Sequence, residues 1–330
     1  MSLDLNVKKI KKNAYRITKH RNTTSLRVRV PGGEISADLL SIVNDIANEY
    51  GNGKIHITTR QGFEIMGIPF DKVDEVNLMA KSLIEGLEIN AVDPKSGYPA
   101  AGTRNVSACI GNKVCPFANY NTTEFAKKIE KAIFPNDHHV KIALTGCPND
   151  CIKAHMQDFG IIGMADVEYD MDRCIGCEAC VKNCKKRATG ALTMKDGKVK
   201  RDSRRCIGCG ECALKCPTSA WSRNPQKKYK LVIMGRTGKK NPRIAMPFME
   251  WVDEETIIKV ILNTYDYIDE YIDRSLPKEH IGYIVDRTGY PIFKEYALRG
   301  TNLGPEVKVA EFIDFGGYKY EKDAFMDNIE

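Results

Sequence analysis

The chain has 330 residues and a mass of 37.1 kDa, with 42% hydrophobic and 28% charged residues, the balance of a globular protein of two or three domains. No run approaches the roughly 18 apolar residues needed to cross a bilayer, and the basic start "MSLDLNVKKIKKNAYRITKHR" lacks the apolar stretch of a secretory signal, so a cytoplasmic location without membrane attachment is expected. Net charge is +7, and residues 1–30 hold nine Lys or Arg against one acid, Asp4; with no zinc-finger, RRM or KH pattern, an anionic ligand or partner is the expected use of that charge, not nucleic acid.

In chain order, "SLRVRVPGG" (25–33) alternates Leu26, Val28 and Val30 with Arg27 and Arg29, which predicts a strand with both arginines on one face. Residues 35–53 carry Leu39, Leu40, Val43, Ile46, Ala47 and Tyr50 at helical spacing, with Ser36 placed to cap the start and Gly51 or Gly53 the end. "KIHITTRQGFEI" (54–65) reads as a second strand with a turn, and 71–86 as a second amphipathic helix. Residues 1–90 are thus expected to form a β-α-β-α half-domain of ferredoxin-like character. Further on, 122–134 predicts a helix, "HVKIALTGC" (139–147) a strand that ends on Cys147, "FGIIGMADVEY" another strand, "YKLVIMG" a further one, and 253–274 a long helix. The fold class expected is α+β: the half-domain, an α/β domain from 91–166 and 221–330, and a cysteine-rich insertion at 167–220.

Twelve cysteines without a secretory signal point to metal ligation more than to disulfides. Cys174, Cys177, Cys180 and Cys184 have the C-x2-C-x2-C-x3-C spacing, and Cys206, Cys209, Cys212 and Cys216 repeat it. In two-cluster ferredoxins the fourth cysteine of each run ligates the other cluster. The expected sets are therefore Cys174, Cys177, Cys180 and Cys216 for one [4Fe–4S] cluster, and Cys206, Cys209, Cys212 and Cys184 for the second. Pro217 follows Cys216 as the pattern requires, whereas Lys185 follows Cys184; zinc is the alternative, although zinc sites more often use two CxxC pairs. The remaining four, Cys109 and Cys115 in "CIGNKVC" and Cys147 and Cys151 in "TGCPNDC", can hold a third cluster, a disulfide or no ligand at all. "GRTGKKNPR" (235–243) offers Arg236, Lys239, Lys240 and Arg243 on a Gly-rich turn suited to an anion, but it is neither GxxxxGK[ST] nor part of a GxGxxG fingerprint, so no nucleotide site is expected.

C-x5-C followed by C-x3-C, in the settings "TRNVSACIGNKVC" and "TGCPNDC", together with "LRVRVPGG" and "IHITTRQGFE" upstream, resembles the sirohaem-dependent sulfite and nitrite reductase family. The inserted ferredoxin and the length make it most similar to the anaerobic, dissimilatory-related branch. The resemblance implies a sirohaem and three [4Fe–4S] clusters, with the α/β part as the sirohaem–[4Fe–4S] domain. Cys109, Cys115 and Cys147 are implied to be cluster ligands, and Cys151 to bridge the cluster to the sirohaem iron. Arg60, with Thr59 and Gln61, matches a motif that contacts the macrocycle; Arg236, Lys239, Lys240 and Arg243 are candidates for its carboxylates, and Asn149 for support of the Cys151 loop. Arg27 or Arg29, Arg104 and Lys141 match the cations over the open haem face that bind the substrate anion. A second family lysine is replaced by Ala143; His138 and His139 are nearby, although exposed imidazoles are the simpler reading. The implied reaction is six-electron reduction of sulfite to hydrogen sulfide. Flavin/NADH-oxidising and iron–sulfur subunits are implied partners, and a homo-oligomer is a further possibility. The alternatives are a sirohaem nitrite reductase, or a haem-free electron-transfer subunit with three clusters.

Overall fold

Strands β1 (Tyr15–Ile17) and β2 (Thr23–Val28) begin an antiparallel sheet, and helix α1 (Ala37–Glu49) follows. The computed structural model describes residues 14–90, 104–136, 138–238, 242–275 and 279–315. Ser36 caps α1, its hydroxyl accepting the Leu39 N–H at 3.4 Å, and the N–H groups of Gly51 and Gly53 return to Ile46 O and Ala47 O. The stretch read as one strand with a turn is a hairpin, β3 (Ile55–Ile57) and β4 (Phe63–Pro69). Thr58 Oγ1 accepts the N–H groups of Arg60 and Gly62, and Gln61 adopts φ +63°, which closes the turn. With α2 (Val73–Gly86) the first unit is β-β-α-β-β-α, in strand order β1-β2-β4-β3. Leu26, Val28, Ile65 and Ile68 meet Val43, Ile46, Val76 and Leu83 in its core.

A larger sheet starts with β5 (Ser107–Ala108), α3 (Thr122–Ile133), β6 (Ile142–Thr145) and β7 (Phe159–Met164), its three strands parallel. Residues 165–223 then leave that sheet. Strand β8 (Val167–Tyr169) is followed by α4 (Ala179–Arg187), the hairpin β9 (Leu192–Lys195) and β10 (Lys198–Arg201), α5 (Glu211–Lys215) and β11 (Trp221–Arg223). β8 pairs with β11 and β9 with β10, so two β-α-β units fold back on each other around a small core of Cys180, Leu192, Val199 and Trp221.

The chain re-enters the large sheet with β12 (Lys228–Ile233), which pairs antiparallel with β7, and β13 (Met246–Val252). Helices α6 (Glu254–Tyr271), α7 (Ile281–Thr288) and α8 (Tyr290–Ala297) and the edge strand β14 (Lys308–Val309) complete it, in order β14-β13-β12-β7-β6-β5. Asp253 caps α6 through the Thr256 N–H at 2.8 Å. Ile257, Ile261 and Ile268 of α6 pack with Ile142, Leu144, Phe159 and Leu231 in the principal core. Among the described residues, no helix is long and apolar enough to cross a membrane.

Candidate functional site

β5 and β6 are neighbouring parallel strands, and each runs directly into a cysteine loop. Cys109 follows Ala108, and its N–H donates to Leu144 O; Cys147 follows β6 by one residue, Gly146. The C-terminal ends of parallel strands are where open α/β sheets place ligands. A Cβ on Gly146 would lie 2.5 Å from Ala118 Cβ, so only glycine allows the loop to pass there. Its N–H donates to Cys109 Sγ at 3.1 Å, and the Asn149 N–H supports Cys147.

Burial pushes the Cys147 thiol up, opposed by the Asn149 N–H and reinforced by Cys115, Cys151 and Cys109. All four thiols therefore share one electrostatic environment at the ends of β5 and β6. They differ in access: Cys147 is buried, Cys109 and Cys115 half-buried, and Cys151 exposed. Asp150, next to Cys151, organises the turn by accepting the N–H groups of Ala154 (2.6 Å) and His155 (3.1 Å), with its other contact to His155 Nδ1 (2.7 Å). Burial alone would raise this carboxyl; the His155 ring and the two N–H groups outweigh it and hold it low. Asn149 is exposed, and its main chain, not its side chain, makes the contact with Cys147.

The seam between the two sheets holds a second feature. Gln61 donates to Ala108 O (2.7 Å) and accepts the Ala108 N–H (2.8 Å), so it extends the hydrogen bonding of β5. Asn105 donates to Val30 O and Arg60 O, and the Gly32 N–H donates to Val106 O. These bonds enclose a cavity of about 140 Å³ lined by Arg27, Arg29, Thr58, Thr59, Arg60 and Arg104 with Val28, Gly62 and Asn105. Four guanidinium residues face it, and among the described residues no carboxylate lines it. Burial lowers Arg60 to about 10, Asp158 resisting this while Arg104 and Arg27 add to it. Burial also lowers Arg104, with help from Arg27, Arg16 and Arg29. Arg27 Nε and Asn105 Oδ1 are buried without a hydrogen-bond partner among the described residues.

The four arginines are not equivalent. Arg27 donates to Glu64 at 2.8 Å from Nη2 only, and Arg60 to Gln157 Oε1 at 2.9 Å. Arg29, expected beside Arg27 as a substrate-binding cation, is 5% exposed and donates from Nε and Nη2 to Glu130 at 2.7 and 2.9 Å, with Phe134 stacked 3.8 Å from its Cζ. That buried ion pair joins β2's continuation to α3, which makes Arg29 a wall of the cavity whose charge is already met. Glu130 had no signal in the sequence beyond an amphipathic helix.

The expected anion loop departs further. Arg236 and Arg243 bridge each other through their main chains, and both side chains turn inward to Asp286 of α7, Arg236 Nη1 at 2.9 Å and Arg243 through Nη1. Arg243 also donates to Met234 O, Gly282 O and Phe315 O, so these two side chains fasten α7 to the sheet and are not available to a macrocycle as arranged. Lys239 and Lys240 lie outside the described residues. Lys141 does not line the cavity: its Nζ donates to Thr237 O at 2.7 Å and its N–H to Asp158. Asp158, missed in the sequence, is fully buried between Lys141, Arg60 and Arg243, and burial raises it to about 6 against their pull. Ala143 is buried in β6 beside Ser107 and Gly160. His138 faces Asp269 and Tyr265, and His139 faces His280, away from the arginines.

In residues 165–223 none of the eight cysteines is in a disulfide. Charges from Cys216 act on Cys174 and Cys180, those from Cys184 and Cys206 on Cys209, and that from Cys180 on Cys212, so the thiols of the two runs lie near one another. Hydrogen-bond donors surround the sulfurs: the Tyr169 hydroxyl and Gly176 N–H lower Cys174, the Val181 N–H assists Cys180, and the Ala220 N–H reaches Cys216 Sγ at 3.2 Å. Burial raises Cys212 to about 12. Such N–H···S bonds set cluster potentials.

Four cysteines gathered beside a cationic cavity, at the junction of two α+β units, have the chemistry of a redox protein that handles an anionic ligand. Residues 17–82 match the nitrite/sulfite reductase ferredoxin-like half domain, and residues 100–302 match the nitrite and sulphite reductase 4Fe-4S domain. The chain is 45% identical over 95% of its length to a subunit of the anaerobic sulfite reductase of Salmonella typhimurium, covering 95% of that protein. It is also 36% identical, over half its own length and 26% of the relative's, to the coenzyme F420-dependent sulfite reductase of Methanocaldococcus jannaschii. Its fold is that of a dissimilatory sulfite reductase I crystal structure, with a TM-score of 0.63 at 17% identity, covering 92% of this chain and 77% of that one. The chain belongs to the nitrite and sulfite reductase family.

Proposed function

We propose that this chain is the catalytic subunit of a sulfite reductase, carrying sirohaem and three [4Fe–4S] clusters and reducing sulfite to hydrogen sulfide by six electrons. The observation that carries this reading is the crowding of Arg27, Arg29, Arg60 and Arg104 around a carboxylate-free cavity. Arg60 and Arg104, which burial and the neighbouring arginines depress, would be stabilised by anions, and a macrocycle bearing eight carboxylates would supply them. Arg27 Nε, buried without a partner among the described residues, is a donor ready for such a group.

Cys109, Cys115, Cys147 and Cys151 are proposed to hold one cluster, and exposed Cys151 would be the thiol that also serves the sirohaem. The ferredoxin-type runs at 167–220 are proposed to hold the other two in the crossed sets. When bound, sirohaem would supply the redox chemistry for reducing a small oxyanion, with the arginines of the cavity holding its carboxylates. The protein's part is electrostatic. Arg27 and Arg104 bind the substrate oxygens and stabilise charge on them as they depart. Arg60 anchors the macrocycle, held in place by Gln157. Glu64 keeps Arg27 from swinging away, and Glu130 keeps Arg29 rigid as a wall. By analogy with the Salmonella relative, itself one subunit of a larger enzyme, we further propose that flavin- and iron–sulfur-bearing partner subunits supply the electrons, in the cytoplasm.

The test is steady-state reduction of sulfite and of nitrite by the anaerobically purified protein with a dye reductant. The reading requires stoichiometric sulfide and a higher kcat/KM for sulfite; a higher value for nitrite with ammonia as product would replace it.

A further inference from the structure

The cysteine-rich block has two thiol-bearing edges, and their surroundings differ in charge. Residues 167–220 contain twelve Lys or Arg against seven Asp or Glu, a net +5 within a chain of net +7. At the edge formed by Cys174 and Cys177 acids match the neighbouring cations in number: Arg173 pairs with Asp170 at 3.4 Å, Lys182 with Glu178 at 3.3 Å, and Lys198, held by Met171 O and Cys174 O, is offset by exposed Asp172. Met171 and Ile175 are exposed there, so this edge is apolar and electrically balanced.

The opposite edge is formed by Cys184, at the end of α4, and Cys206, after β10. Two side-chain contacts hold these segments together, the Thr189 hydroxyl on Arg205 O and Arg205 Nη2 on Thr189 O. Lys185, Lys186, Arg204 and Arg205 are all exposed around it, and none has a carboxylate partner among the described residues. Asp202, the acid on this loop, is occupied in capping the Arg204 N–H at 2.9 Å. Ile207, 38% exposed, adds an apolar contact next to Cys206. Behind this rim, Cys184, Cys206, Cys209 and Cys212 line a common hollow. Arg187, one residue past the collar, is drawn away to Glu211 and to the Phe117 ring beside Cys115, so the collar's helix also touches the loop of the third thiol group.

We infer that this collar of Lys185, Lys186, Arg204 and Arg205 is the docking face for an acidic electron-donating protein, which seats over the Cys184–Cys206 edge. The inference rests on the proposed reading of the block as a redox module. Exposed cations without local counter-charges cost little to pair with an incoming acidic surface, and they steer its approach over distances comparable to the Debye length. The neutral Cys174–Cys177 edge offers no such steering.

The experiment uses the holoprotein and a small acidic two-cluster ferredoxin as probe, with binding measured calorimetrically at low and at high salt. Wild-type binding is expected to weaken as salt rises. Lys185→Glu/Lys186→Glu and Arg204→Glu/Arg205→Glu are each expected to weaken it by about tenfold or more. The control Arg173→Glu/Lys182→Glu is expected to change it less than about twofold, and dye-driven turnover and iron content should stay at the parent's level in all three. If a Glu pair loses iron, the corresponding Gln pair replaces it. Unchanged ferredoxin binding in both collar variants would overturn the inference, as would collar-dependent binding of duplex DNA or phosphatidylserine vesicles with none of ferredoxin. A parent that binds ferredoxin through the collar but reduces no sulfite with dye would refute the proposed reaction and leave the docking face standing.

Discussion

Two basic motifs look equivalent in the sequence, and the fold uses them in opposite ways. The arginines of "LRVRVPGG" and "TTRQ" converge with Arg104 on a cavity without a carboxylate. Those of "GRTGKKNPR" turn their side chains onto Asp286 and three main-chain carbonyls. Both sets are deeply placed, and both are rich in donors. The difference lies in the partners that tertiary structure brings: in the first set Arg27 and Arg29 meet Glu64 and Glu130 behind the cavity while Arg60 and Arg104 crowd it, whereas the second set closes on Asp286 and serves as a fastening. A basic motif indicates capacity for an anion, and whether that capacity is free depends on residues far away in the chain.

The comparison has its largest expected consequence at Arg29, which belongs to the cavity by position and to the fastenings by chemistry. Arg29→Met leaves Glu130 charged and buried, and is expected to cost about 3–5 kcal/mol of unfolding free energy in denaturant titrations; adding Glu130→Met should recover most of it. If Arg29→Met instead folds normally and loses only substrate affinity, Arg29 belongs with the substrate cations.

Asp158 lies between the two regions, within the field of Arg60 on one side and Arg243 on the other. Its carboxyl is raised to about 6 by burial, so the folded state binds a proton more tightly than the unfolded chain. The stability this group contributes is fully present below about pH 4 and declines as pH rises through 6. Measured against Asp158→Asn, which has no proton to lose, the parent's relative stability should fall by up to about 3 kcal/mol across that window. A difference that does not vary with pH would show that the carboxyl does not titrate there.

Arg60→Ala removes a charge-assisted anchor worth about 1.5–3 kcal/mol, so cofactor retention and dye-driven turnover should drop about 10- to 150-fold with little loss of fold. Arg60→Lys should recover only part, because an ammonium cannot reproduce the planar fork. Arg243→Met is the smallest effect and the sharpest contrast: a stability loss of about 1–2 kcal/mol, with the haem-to-protein ratio and the KM for sulfite unchanged. A variant that kept its stability and lost haem would move this loop back into the site.

Much of this was legible in the residues. Cysteine spacing marked two runs of four thiols, which the fold gathers into one small β-α-β pair, because short loops must present thiols at fixed intervals. Helical periodicity found α1, α2, α3 and α6 to within a few residues. Short elements escaped: β1 has three residues, and β13, α7 and α8 follow the basic loop without a strong alternating pattern. Within the candidate site, Arg60 and Arg104 were found because they sit in compact motifs. Glu130, Gln157, Asp158 and Asp286 were not, since each is an ordinary polar residue whose meaning comes from a partner between 17 and 101 positions away. Gln61 was placed correctly beside Arg60 in sequence, yet its observed work is to bond the main chain of Ala108.

The central claim is that the four thiols at the ends of β5 and β6 and the arginine cavity beside them together serve a haem-coupled cluster. The visible absorption spectrum of the anaerobically purified chain, with iron determined on the same sample, tests it most directly. The account predicts sirohaem bands and about thirteen irons per chain. Three clusters' worth of iron, about twelve atoms, with no sirohaem band would contradict it and make the chain an electron carrier.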